Sequence, residues 1–188
     1  RVIEQNEGVP QQAGDSILAY FAYETENLCI LRATFSALVC QQNLDLSKST
    51  ITTPEIERYF IVTSGNANVG NVFGDEHFEL SVNGKPANLA ARLDEVSKNQ
   101  FLRNRIISSG SVLIDFTTKK RLASIIPELQ FMEIDLRDIG ISLRTYTEER
   151  RVFLLPASAD VLEMLTSKIS QLTNLTTDTI NEQSSRAA

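Results

Sequence analysis

The single histidine of this sequence, His77, stands in Gly74-Asp75-Glu76-His77-Phe78. A carboxylate beside an imidazole is the pairing that general acid-base catalysis uses. On a strand, however, only Asp75 would share its face. No second histidine exists, and no cysteine is near in sequence, so His77 reads as a surface residue at a loop edge. Two cysteines and one histidine do not fill a usual four-ligand zinc site without carboxylates. No Gly-x-Ser-x-Gly elbow and no Walker sequence occurs. The glycines of Gly65 to Gly74 form no dinucleotide fingerprint. Serine and threonine hydroxyls are plentiful, but each needs an adjacent base to become a nucleophile. No catalytic residue, metal site or cofactor is therefore expected, and the chain reads as non-enzymatic.

Charge supplies the one positive clue. Residues 98–121 hold Lys98, Arg103, Arg105, Lys119, Lys120 and Arg121 against Asp115 alone. Folded onto one end of a sheet, these six would make a compact site for an anion or an acidic partner, because guanidinium groups suit bidentate phosphate and carboxylate contacts. The competing reading is a solvated helix face. The two halves of the chain also differ. Residues 1–97 carry 6 Lys/Arg against 13 Asp/Glu, and residues 98–188 carry 12 against 11.

The elements that must position these groups are partly legible. Ile17 to Tyr23 and Leu28 to Cys40 are apolar runs around Glu24-Thr25-Glu26-Asn27, and they predict two strands of a hairpin. One long helix over 16–42 is the rival, since no Gly or Pro interrupts it. Cys29 and Cys40 then read as free, buried thiols. Thr52-Thr53-Pro54 resembles a helix start. Tyr59 to Thr63 and Phe78 to Val82 read as strands, the second ending at the turn dipeptide Asn83-Gly84. The stretch 64–74 reads as a long loop. Leu89, Leu93, Val96, Phe101, Leu102 and Ile106 follow helical spacing with a break near Asn99. Ser111 to Phe116 reads as a strand, and Lys119 to Ile126 as a helix stopped by Pro127. Phe131 to Leu136, Ile141 to Tyr146 and Val152 to Leu155 read as an antiparallel meander. Asp160 and Glu163 resemble a capping box. Behind them Leu162, Leu165, Ile169 and Leu172 recur at 3, 4 and 3 residues, the seam of a helix packed on its own sheet or on a partner chain.

These patterns predict an α+β fold: an antiparallel or mixed sheet with two or three packed helices and polar arms at both ends. Residues 1–14 are the N-terminal arm, 15–172 a single domain, and 173–188 a polar tail or linker. The 188 residues are 42% hydrophobic with a net charge of -6. That is enough for a core, and it disfavours a generally basic nucleic-acid binder. No apolar run approaches the ~18 residues of a membrane span. No basic segment leads an apolar run, so no signal peptide is visible at the start; the cytoplasm is favoured, and a signal peptide already removed is the alternative. The chain opens at Arg1 instead of Met, as a processed product or an excised domain would. Few catalytic groups and segregated charge predict a structural or assembly subunit, coat-like or filament-like, whose partner is a second copy or another protein. The alternatives are a nucleic-acid-binding structural protein using residues 98–121, and a small enzyme whose Asp and Glu groups are brought together by the fold.

Overall fold

A computed structural model describes residues 1–22, 25–47, 58–71, 80–143 and 150–186. The order of elements is α1 (Val2–Gln5), β1 (Val9–Ala13), β2 (Ser16–Tyr20), α2 (Glu26–Ser47), β3 (Ile61–Val62), β4 (Ala67–Asn71), β5 (Leu80–Gly84), α3 (Lys85–Ser97), α4 (Gln100–Ser109), β6 (Ser111–Ile114), α5 (Phe116–Ile125), β7 (Met132–Asp135), β8 (Arg151–Pro156) and α6 (Ala159–Arg186). A 3-10 turn, Leu136–Ile139, follows β7. The fold is α+β, with a mixed central sheet in the order β3-β6-β8-β7. Strand β3 runs parallel to β6, and the other two pairings are antiparallel. Two separate hairpins, β1-β2 and β4-β5, complete the set.

Alternation along the central strands divides the interior in two. On one face Val112 and Ile114 of β6 join Phe153 and Leu155 of β8, under helices α2, α5 and α6. On the other face Leu113 joins Val152 and Leu154, under α3, α4 and the 3-10 turn. Because side chains of a strand alternate, one buried strand serves two cores. This explains why β6 is buried at every position.

Several expectations change here. Glu26 to Ser47 is one helix and not a strand. Leu28, Ile30, Leu31, Thr34, Ser36 and Leu38 are all buried, so the helix has almost no polar face. Such a helix shows a continuous apolar run, which resembles a buried strand until its length is counted. Strand β2 pairs instead with β1, in the segment expected to be a polar arm. Cys29 and Cys40 form no disulfide, as expected, but both are half-buried and not buried. Eleven residues of helix separate them by about 16 Å, well beyond the ~7 Å limit for a disulfide. The glycine-rich stretch contains β4, and Gly84 leads into α3 instead of closing a hairpin turn. Of the three-strand meander, β7 and β8 pair with each other directly, and 141–143 form no strand. Helix α6 continues past Thr173 to Arg186. Its first turn is capped by Ser158, whose Oγ accepts the Val161 amide at 3.4 Å, and not by an Asp160-Glu163 box. Thr52-Thr53-Pro54 and Phe78-Glu79 lie outside the described residues.

The break at Asn99 is as expected. Its side chain accepts the amides of Phe101 and Leu102 and so starts α4.

Candidate functional site

The six basic residues of 98–121 do not form one surface. Helix α4 packs through Leu102 and Ile106 on one face of the sheet, and α5 packs through Leu122 on the other. The sheet therefore stands between Arg103 and Arg105 on one side and Lys119, Lys120 and Arg121 on the other. Several of the six are also engaged locally. Lys98 lies 3.6 Å from Asp94, and Arg121 pairs with Glu26 at 3.2 Å. The Arg105 Nε–H donates to the Met132 Sδ at 3.4 Å. The Lys119 ammonium sits over the Phe131 and Phe153 rings. Strand β6 between the two helices is buried on both faces, and each helix packs on a different one, which only the folded sheet reveals.

The apolar stripe of α6 is occupied within the chain. Leu165 is fully buried in the first core, and Leu162, Ile169 and Leu172 pack against it. His77 lies outside the described residues. Among the described residues no group of three or more His, Cys, Asp or Glu is placed to hold a metal ion.

A different polar assembly gathers where β3 and its flanks meet α3. The Tyr59 hydroxyl donates to the Asp94 carboxylate at 2.8 Å. Burial, and then that bond, push the Tyr59 hydroxyl up to about 12. The Asp94 charge adds to this rise, Arg103 opposes it, and Asp15 adds a smaller push. Thr63 Oγ1 donates to the Pro86 carbonyl at 2.9 Å, tying the end of β3 to the first turn of α3.

Helix α3 begins at Gly84, which has φ of 153° and lies so close to β4 that a Cβ there would stand 2.8 Å from the Asn66 carbonyl oxygen. Only glycine fits both demands. The N-terminus of α3 has no side-chain cap hydrogen bond, and Pro86 in its first turn carries no N–H. Asn88 and Arg92 lie one turn apart on the exposed side of this helix. Arg92 pairs with Glu95 at 2.9 Å, in a pair that is open to solvent. Sequence reasoning followed the apolar period of α3 and passed over these two. Their four-residue spacing beside the Leu89 and Leu93 stripe was the available signal.

Replacing Asp94 by Asn is expected to lower the Tyr59 pKa from about 12, because both the bond to a carboxylate and its charge are lost. Ultraviolet titration of the tyrosines would read this. An unchanged Tyr59 titration would show that burial alone sets the value.

No family model and no curated protein sequence matches the chain. Solved structures do. The adenylyl cyclase CyaB from P. aeruginosa superposes with a TM-score of 0.62 at 17% identity, over 84% of this chain and 76% of that one. The guanylyl cyclase Cya2 superposes with a TM-score of 0.58 at 20% identity, over 82% of this chain and 72% of that one. These likenesses overturn the expectation of a non-enzymatic coat-like or filament-like subunit: scarce histidine and segregated charge describe composition, whereas the fold is the one that two nucleotide cyclases use.

Proposed function

We propose that this chain is a cyclase-like domain that binds a purine nucleoside triphosphate. The observation that carries the reading is the shared fold with an adenylyl and a guanylyl cyclase across more than four-fifths of the chain. Of the alternatives drawn from sequence, a small enzyme assembled by the fold is the one this likeness supports.

The α3 N-terminus is the part of the proposed site that meets the phosphates. Pro86 supplies no amide there, so the attraction of this helix end for an anion comes from the helix dipole. Arg92 adds a planar cation able to grip two phosphate oxygens, and Asn88 adds an amide donor. The present Arg92–Glu95 pair is exposed and so contributes little, which leaves Arg92 able to turn toward a ligand. The chain carries a net charge of -6, so a divalent cation bound with the triphosphate would reduce repulsion.

Titration of fluorescently labelled ATP and GTP with magnesium tests this. Saturable binding is expected, and Arg92→Ala should weaken it by about tenfold, the loss of one charge-assisted contact. Both substitutions, Arg92→Ala and Asn88→Ala, change exposed side chains, so melting temperatures should hold. Absence of binding by either nucleotide at millimolar concentration would overturn the reading. Binding that ignores both substitutions would move the phosphates away from α3.

A further inference from the structure

Arg92 stands between two sets of partners on helix α3. Residues three and four apart face each other on a helix, so its neighbours there are Asn88, Leu89, Glu95 and Val96. Glu95 is the one acid of the four. Both of its carboxylate oxygens accept from the same terminal nitrogen of Arg92, at 2.9 and 3.2 Å. Asp94, closer in sequence, is no substitute, because residues two apart do not face each other. Its carboxylate accepts from the Tyr59 hydroxyl at 2.8 Å and lies 3.6 Å from the Lys98 ammonium. Direction matters as well. Asn88 and the helix start at Gly84 precede Arg92 by about 6 and 12 Å along the axis, whereas Glu95 lies about 4.5 Å beyond it. The group that engages Arg92 at rest is thus on the side away from the helix start.

We infer that Glu95 is an internal competitor for Arg92: it engages the guanidinium when the site is empty and is displaced by phosphate when a nucleotide binds. The inference rests on the nucleotide reading above and adds what sets the affinity of that site. A carboxylate and a phosphate offer a guanidinium the same kind of paired oxygen acceptors, so they compete for the same nitrogens. The pair is exposed and therefore weak. It lowers nucleotide affinity a few-fold without closing the site. Glu95 also repels phosphate through space, but that contribution does not need Arg92, and the two can be separated.

The probes are fluorescently labelled ATP and GTP with magnesium, titrated with the whole chain. Glu95→Gln should tighten binding by about threefold, the scale of an exposed ion pair. In the Arg92→Ala background the same substitution should gain less, leaving only the repulsion of one screened charge. Glu163→Gln removes an equal charge from α6, on the far face of the sheet, and should leave affinity unchanged. Glu95 is 62% exposed, so the melting temperature of Glu95→Gln should hold. Parent affinity in Glu95→Gln would overturn the inference. Equal tightening with and without Arg92 would overturn it too, since Glu95 would then be a repelling charge and no competitor. Both of these results leave the nucleotide reading standing. Failure of every variant to bind either nucleotide would remove that reading, and this inference with it.

Discussion

Replacing Leu165 by alanine should destabilise the protein by about 2–5 kcal/mol, the usual cost of emptying a filled leucine site. Leu165 is fully buried between α6 and the first core, in which Leu31 and Leu38 of α2 and Leu155 of β8 are also fully buried. Truncation would remove the transfer energy of three carbons and leave a cavity that several elements must collapse to fill. Urea unfolding should show a lower midpoint at an unchanged slope, because the amount of surface exposed on unfolding stays the same. The stripe is covered by the chain itself, so the loss should not depend on protein concentration. Leu175→Ala on the same helix is the control: Leu175 is 56% exposed, and its truncation should change stability by less than about 0.5 kcal/mol. A Leu165→Ala effect as small as the control would show that α6 does not seal the first core.

The second large effect is expected at Asp115, which is 2% exposed at the end of β6. Its carboxylate accepts the amides of Thr117 at 3.1 Å and Thr118 at 3.2 Å, and so caps α5. It also accepts the Ser64 amide, which joins the ends of β3 and β6. Asp115→Ala should cost about 0.5–2 kcal/mol for the cap alone, and more where the Ser64 amide is left unpaired. Asp115→Asn keeps the acceptor and separates charge from capping. Burial raises the Asp115 pKa in the folded state, and the amide bonds only partly offset it. A raised folded pKa means that the native state holds this proton more tightly than the unfolded chain does. The associated stability is complete below the unfolded value of 3.8 and is lost as pH rises through the folded pKa. Asp115→Asn should therefore gain on the parent protein as pH rises from acid toward neutral. Denaturant midpoints at several pH values would read the difference. A constant gap between the two proteins would mean that Asp115 titrates alike in both states.

Short-range chemistry made some elements readable from sequence. The α3-α4 break lies at Asn99 because an asparagine side chain reaches the amides two and three residues on, whatever surrounds it. Helix α5 ends before Pro127 because proline hinders helix at the residue preceding it. The α6 stripe appears because helical spacing repeats every three or four residues. The α+β class followed from elements of this kind.

Tertiary packing decided the rest. The α2 segment is enclosed by α5, α6 and β6, so it lost the polar face that would have marked it as a helix. Strand β2 found its partner upstream, in residues too polar to signal a strand. The basic residues of 98–121 were separated because β6 is buried on both faces, and each flanking helix followed a different one. Charge clustering along the chain carries no information about which side of a sheet a helix will cover. The candidate nucleotide site was hidden for a related reason: Asn88 and Arg92 are ordinary surface residues by type. The helix that carries them is set by Gly84, the β4-β5 hairpin and the Thr63–Pro86 bond, which bring distant parts of the chain together only after folding.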